Sequence, residues 1–550
     1  MRPWAAALLA VLFLASCAKE QSAGGLSGHN AWTRPGILRF AENEEPSSLD
    51  PMLNASAPTG DLSMFIYSYA VRYDDRARPV PDALRELPTV ENGDVSNDGL
   101  TLKYKLRHNI KWQDGAPLTC RDLRFTWQAV MNPHNNVVTT DGYKDIRDID
   151  CSDPYVAVVH MKKIYAPYLQ QLWGVNSNAA IVPEHLLAKY NDDKGSFNTA
   201  AYQSMPIGSG PFKVVEWQRG SFIRLRANPD FYLGKPKLKE VIFRYLPDES
   251  TEITSLQTHE IDLLARGTGL NWPRYVNISG PESGVRAIRV DDFLYTHVDF
   301  NLQRPLLQDR NVRLALAYAT DRNEILNKVM HDSGIAAQTD QSPELSWAYT
   351  GNFERHDFDQ AKARQILDSA GWRPGSDGIR VKNGERLSFN LTCIAESNYA
   401  RQIETVLQRQ WHEVGAEALI KNSPSQLMFQ NGAAGTLQGG HYDVALFSWL
   451  ASADPDDSAI YSGDNLPPHG QNALFWNNPE ATAAMNDALK TLDRSRRKHD
   501  YDVVQQQMAI DVPTIVLFFW KEPYVYNTDL KGFKPSPVIS AFWNPWEYSI

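Results

Sequence analysis

Residues 112–127 read WQDGAPLTCRDLRFTW. Asp114-Gly115 is a turn pair, since an Asp side chain folds onto its own backbone and Gly accepts a positive φ. Thr119 stands where a helix N-cap is wanted, and Asp122 falls in the first turn, where a carboxylate meets the positive end of the helix dipole. The spacing predicts a turn followed by a capped amphipathic helix, which is a structural block and not a chemical site.

Outward from this block, short β-type runs alternate with amphipathic helices, and no repeat of 20 to 50 residues stands out. A strand at 37–41 opens the chain and is followed by the turn pairs Glu45-Pro46 and Asp50-Pro51. Val312, Ala315, Leu316 and Ala319 form one helical face behind the cap candidate Asp309. Ala363, Ile366, Leu367 and Ala370 form a second, capped by Asp359 and ended by Gly371. A third helix runs from about Asn398 to Gly415, burying Ile403, Leu407 and Trp411, and a strand follows it. Tyr501, Val504 and Met508 mark a last helix, closed by Pro513, with a core strand at 514–520. These are the parts of a layered α/β or α+β protein.

Further blocks stand in a fixed order: PIGSGPF at 206–212, NPDFY at 228–232, LQTHEID at 256–262, RNVRLALAYATDR at 310–322, FDQAKARQILDSAG at 358–371, YDVALFSW at 442–449, Asp454-Pro455, and DVPTIV at 511–516. Together with 112–127, this order resembles the family 5 extracellular solute-binding proteins, the dipeptide, oligopeptide and nickel-binding lipoproteins of ABC importers. The resemblance runs from about 37 to 537 and implies a two-lobed α/β fold of the periplasmic-binding-protein type II class (cluster C), with an extra N-terminal subdomain. It implies a discontinuous lobe I at 36–58, 208–288 and 524–550, an inserted subdomain at 59–207, and lobe II at 289–523. A clamp of this kind closes on its ligand and needs neither catalysis nor a cofactor. The implied partners are a peptide or related solute and the permease subunits of the importer, with the protein itself a monomer.

The chain of 550 residues carries 55 Lys plus Arg against 65 Asp plus Glu, so at a formal charge of -10 it has no electrostatic reason to bind nucleic acid. Arg2 and the apolar run AAALLAVLFLA at 5–15 form an export signal too short to span a bilayer. Its end, Leu14-Ala15-Ser16-Cys17, resembles a bacterial lipobox, which implies a leader and lipobox at 1–17 cut just before Cys17, lipid on Cys17 as the mature N-terminus, a tether at 18–35 and an extracytoplasmic, periplasmic location on a membrane. An oxidising compartment permits Cys120 and Cys151 to pair, while Cys393 reads as a small buried hydrophobe. No cysteine or histidine spacing suggests a metal site.

The resemblance also places ligand contacts. Ala55, Ser56 and Ala57 would line the cleft from the first lobe, and Trp449, Leu450, Ala451, Ser452 and Asp454 from the second. Peptide binders of the family carry an Asp three residues after that Trp to hold the ligand ammonium, and Ser452 stands there instead. Asp454, Asp456 and Asp457 are the candidates to replace it, although ASADPDD also reads as a solvated Asp-Pro turn. The lost anchor leaves an oligosaccharide or other non-peptide solute as the alternative. An exported hydrolase is disfavoured by the absence of HExxH, GxSxG and P-loop motifs; Ser495 to Lys498 matches SxxK but lies in a charged helical stretch.

Overall fold

Strand β1 (Ile37–Glu42) is apolar over most of its length and almost wholly buried, as a strand inside a sheet must be. In the computed structural model, which describes residues 29–175, 179–266, 271–468, 470–538 and 540–550, ten further strands join it. They are Phe212–Gln218 (β2), Phe222–Ala227 (β3), Glu240–Tyr245 (β4), Leu263–Leu264 (β5), Val285–Phe300 (β6), Gly334–Ala336 (β7), Ser388–Cys393 (β8), Glu417–Ile420 (β9), Val444–Leu450 (β10) and Thr514–Asn527 (β11). Their order is β9-β8-β10-β6-β11-β5-β1-β4-β3-β2, with β7 added on β11. The chain is therefore the mixed α/β protein the patterning indicates.

The long strands β6 and β11 sit at the centre and run antiparallel through both halves. On one side Val285 to Asp291 pair with Asn527 to Lys521, and the other edge of β11 there pairs antiparallel with β5. Pairing breaks after Asp291 and resumes at Tyr295 with Phe519, and from there β6 also carries β10. Each strand thus crosses from one half to the other, and both are irregular at the crossing. The strand expected at 514–520 is longer than the apolar run because Lys521, Glu522 and Pro523 pair with β6, which the sequence alone does not display.

Two main cores flank the crossing. Leu38, Phe40, Phe65, Phe212, Phe243 and Phe542 fill the first; Val298, Val312, Leu316, Leu391, Leu407, Trp411 and Leu517 fill the second. Helix α1 (Ala57–Ile66) follows Ser56, and α2 (Cys120–Met131) follows the turn at Gly115, whose φ of +98° suits Gly alone. Asp122 accepts the Thr119 backbone N–H at 2.8 Å, which is the reciprocal half of a cap. Beside α2 lies a three-stranded sheet of Thr101–Lys105, Val156–Met161 and Ile146–Asp153. A disulfide joins Cys120 to Cys151 across 31 positions, with Cα atoms 5.5 Å apart.

In the second half, Asp309 and Asp359 cap α3 (Arg310–Tyr318) and α4 (Gln360–Ser369) by accepting the N–H groups of Asn311 and Lys362. Ser397 caps α5 (Asn398–His412), and Asp493 caps α6 (Arg494–Asp511). Cys393 is free and buried. Among the described residues no helix is long and apolar enough to cross a membrane. The leader expected at 1–17, with Cys17, lies outside the described residues, as does most of the expected tether at 18–35.

Candidate functional site

Strand β10 ends in Trp449 and Leu450, and the chain leaves the sheet as ASADPDD. There it encloses a cavity of about 240 Å³ lined by Tyr295, Asp340, Gln341, Trp449, Leu450 and Ser452, and by Asp454 to Asp457. Tyr295 is opposite Trp449 in the β6–β10 ladder, so both aromatics are fixed by strand register. On the other side of Trp449 lies a second chamber of about 210 Å³, walled by Met428, Phe429, Leu437 and Phe447 with Asn431 and Gln438 at its margin. Trp449 and Gln471 line both chambers.

The run that also reads as a solvated Asp-Pro turn is largely withdrawn from water, with Pro455 and Asp457 buried. Its carboxylates differ in what they do. Arg497 clamps Asp454 with two hydrogen bonds, of 2.8 and 2.5 Å, and both side chains are nearly buried. Asp457 instead faces Asp340: the Gln341 side-chain amide donates to both, at 3.3 and 3.1 Å. Burial first, and then the Asp340 carboxyl beside it, hold the Asp457 carboxyl well above the usual range. Burial also raises Asp456.

Ser452, in the position of the lost Asp, is bonded across the halves. Its hydroxyl donates to the Gln170 side-chain carbonyl at 2.9 Å, and the Asp454 N–H donates to the same oxygen at 2.8 Å. Gln170 belongs to the segment 59–207. Around it opens a larger cavity of about 510 Å³, with Tyr73, Arg76 and Tyr168 on one side and Trp347, Arg494 and Arg497 on the other. Leu345 and Ala348 also pack into the first core from the second half.

At the strand crossing, Arg266 faces Glu42, Asp61, Asp292 and Glu522. It bonds Asp61 at 2.9 Å and lies 3.7 Å from Glu522. Burial pushes Glu522 up to about 8 against the pull of Arg266, and raises Asp292. Burial, then Asp61, holds Glu42 well above the carboxylate range. The crossing is therefore packed with carboxyls that resist ionisation.

Of the residues expected from sequence, Trp449, Leu450, Ala451, Ser452 and Asp454 line one cavity. Ala55 and Ala57 are exposed at the start of α1, Ser56 is half-buried, and none of the three lines the cavities described above. Sequence reading missed Tyr295, Asp340, Gln341 and Gln170. Tyr295 looks like any strand aromatic, and Asp340 and Gln170 reach the site only through tertiary packing. Among the described residues no group of three or more His, Cys, Asp or Glu is arranged to hold a metal ion.

The sequence model of bacterial extracellular solute-binding proteins, family 5 (middle), matches residues 80–467. The oligopeptide-binding protein AppA of Bacillus subtilis is 25% identical over 544 residues, covering 96% of this chain and 95% of the relative. The glutathione-binding protein GsiB of Salmonella typhimurium is 24% identical over 451 residues, covering 80% and 81%. Among solved structures, NikZ from Campylobacter jejuni in complex with Ni(L-His) superposes with a TM-score of 0.79 at 26% identity, covering 94% of this chain and all of that one (100%). The AppA structure, in complex with a nonapeptide, gives 0.77 at 24% identity, covering 94% and 99%. These neighbours carry the two-lobed fold that the sequence resemblance implies.

Proposed function

Because the chain belongs to the bacterial extracellular solute-binding proteins of family 5, we propose that it captures a peptide-class solute between its halves and presents it to the permease of an ABC importer. The observation that carries this reading is the pair of chambers sharing Trp449, set where β10 leaves the sheet beside the crossing of β6 and β11. A solute there touches strands that run through both halves, so binding and closure share the same residues. The relative named as an oligopeptide-binding protein supports the solute class. The protein is a binder, in keeping with its family, and performs no reaction.

Several finer assignments rest on the same reading. Lobe I takes 36–58, 208–288 and 524–550, the inserted subdomain 59–207, and lobe II 289–523. Ala55, Ser56 and Ala57 meet the solute from lobe I when the clamp shuts, and Trp449 to Ser452 from lobe II. Residues 1–17 are a lipoprotein leader, and Cys17 carries the lipid that holds a monomer on the periplasmic side of a membrane. Loss of palmitate labelling in Cys17→Ser, with labelling of the native chain, tests the anchor.

A second reading, a non-peptide solute, is favoured by one observation: the Ser452 hydroxyl, where peptide binders keep an Asp, is spent on Gln170. Thermal shift of the soluble chain from Ala18, against tri- to nonapeptides, glutathione, oligosaccharides and nickel–histidine, separates the two. At a hundred times Kd a ligand adds about 2.7 kcal/mol to the folded state, which is a clear rise in midpoint. A rise with peptides supports the first reading; a rise with sugars or nickel–histidine alone replaces it with the second.

A further inference from the structure

We propose that the carboxyl pair Asp340–Asp457 is the cation subsite of this protein, taking an ammonium or guanidinium group of the solute in place of the anchor lost at Ser452. This rests on the peptide-class reading and names what its first chamber recognises.

The geometry is that of a receptor lacking its counter-charge. Asp340 is 3% and Asp457 8% exposed, and both line the same cavity. The Gln341 amide bridges them from one side, and the Thr339 hydroxyl donates to Asp340 at 3.2 Å. No donor among the described residues reaches Oδ1 of Asp457. A buried carboxylate oxygen without a donor is costly to ionise unless a cation faces it. Among the described residues lining the cavity none is basic, and Arg497, which reaches Asp454 at its margin, is already clamped on that carboxylate. Trp449 and Tyr295 form the walls, and an aromatic face favours the same cation the carboxyls do. The neighbouring apolar chamber then accepts an uncharged side chain on the far side of Trp449.

The groups facing the pair are Asp456, whose carboxyl burial also raises, the hydroxyls of Tyr295 and Tyr461, 3.0 Å apart, Asp299 behind them, and the neutralised Asp454–Arg497 pair with Tyr501. Every one of these is acidic, neutral or already paired. With only these groups around it the pair keeps a proton on Asp457, and an incoming cation displaces that proton to solvent. Binding of a cationic solute tightens as pH rises and releases up to one proton.

The test is retention and calorimetry with pooled tri- to pentapeptides on the full soluble chain. Four pools are used: free N-termini; acetylated; acetylated with Lys or Arg; acetylated with norleucine in their place. Preference of about tenfold or more for free over acetylated neutral peptides assigns the α-ammonium. Equal retention of acetylated Lys or Arg peptides, with loss on norleucine, assigns a side-chain cation; either result supports the subsite. Asp457→Asn, checked by its melting temperature, abolishes the preference and the proton release seen when binding heat is compared across buffers. Equal binding of all four pools overturns the subsite and leaves peptide binding standing. Retention of no peptide removes the peptide-class reading itself, and the subsite with it.

Discussion

Gln170→Ala removes an acceptor that ties the segment 59–207 to the loop after β10. Two hydrogen bonds are lost, from the Ser452 hydroxyl at 2.9 Å and the Asp454 N–H at 2.8 Å. Neither donor is stranded: the Asp454 N–H also reaches the Ser452 hydroxyl at 3.0 Å, and that hydroxyl reaches the Asp454 carbonyl at 2.9 Å. Each lost bond therefore counts at its net value, about 0.5–1.5 kcal/mol, and not at the full desolvation cost. The sum, about 1–3 kcal/mol, falls on the form in which these halves touch. Where the open form dominates the free protein, apparent affinity weakens by roughly 5- to 150-fold. The assay is titration with a retained peptide, together with the distance between donor and acceptor labels on the two halves. Unchanged affinity and label distance in Q170A refutes the latch.

Arg497→Met leaves the Asp454 carboxylate buried and unpaired, and equilibrium urea unfolding is expected to show a loss of about 3–5 kcal/mol from the half that contains it. Replacing Cys120 and Cys151 by Ser opens a 31-residue loop, for which chain entropy gives about 3.7 kcal/mol, read as a fall in denaturant midpoint of the first half. The crossing gives a pH dependence of definite sign. Burial pushes Glu522 up to about 8 in the folded chain, against an ordinary carboxyl value near 4.5, so the folded state holds the extra proton. Its contribution to stability is complete below about 4.5 and is lost as pH rises through about 8. Glu522→Gln is expected to flatten that fall in melting temperature between pH 5 and 8, and an unchanged profile counts against the buried carboxyls.

Much of the fold is legible because it rests on local rules. Asp309, Asp359 and Ser397 cap the helices whose faces the spacing of Ala and Leu marks out, and Gly415, at φ +90°, stops the helix that Trp411 anchors. The crossing is not legible in this way. Lys521, Glu522 and Pro523 look like the end of a strand, and only pairing with Arg289 to Asp291 carries β11 onward. The site divides similarly. Trp449 is found from the strand it ends, but whether a carboxylate beside it is free depends on its partner. Asp454, the first Asp after the lost anchor, is taken by Arg497 from α6, whereas Asp457 meets Asp340 from a distant loop. Spacing cannot tell the two apart, because the partners come from elsewhere in the chain.

On the proposed reading the elements that recognise the solute are also those that bend. Asp292, in the break of β6, lies among the carboxyls around Arg266, and Tyr295, three residues on, is already a wall of the cavity. Trp449 opposes Tyr295, and the chain reaches Ser452, which Gln170 holds from the other half, only three residues later. A solute that presses on Trp449 and Tyr295 thus acts on two strand segments within a few residues of the hinge and of the latch. For such a solute to shift the clamp it must contact the closed arrangement better than the open one. Residues from both halves meet at this loop, so contacts there exist only when the halves approach. A point substitution at Gln170 and one at Asp457 therefore separate closure from recognition: the first weakens every solute alike, and the second discriminates by charge.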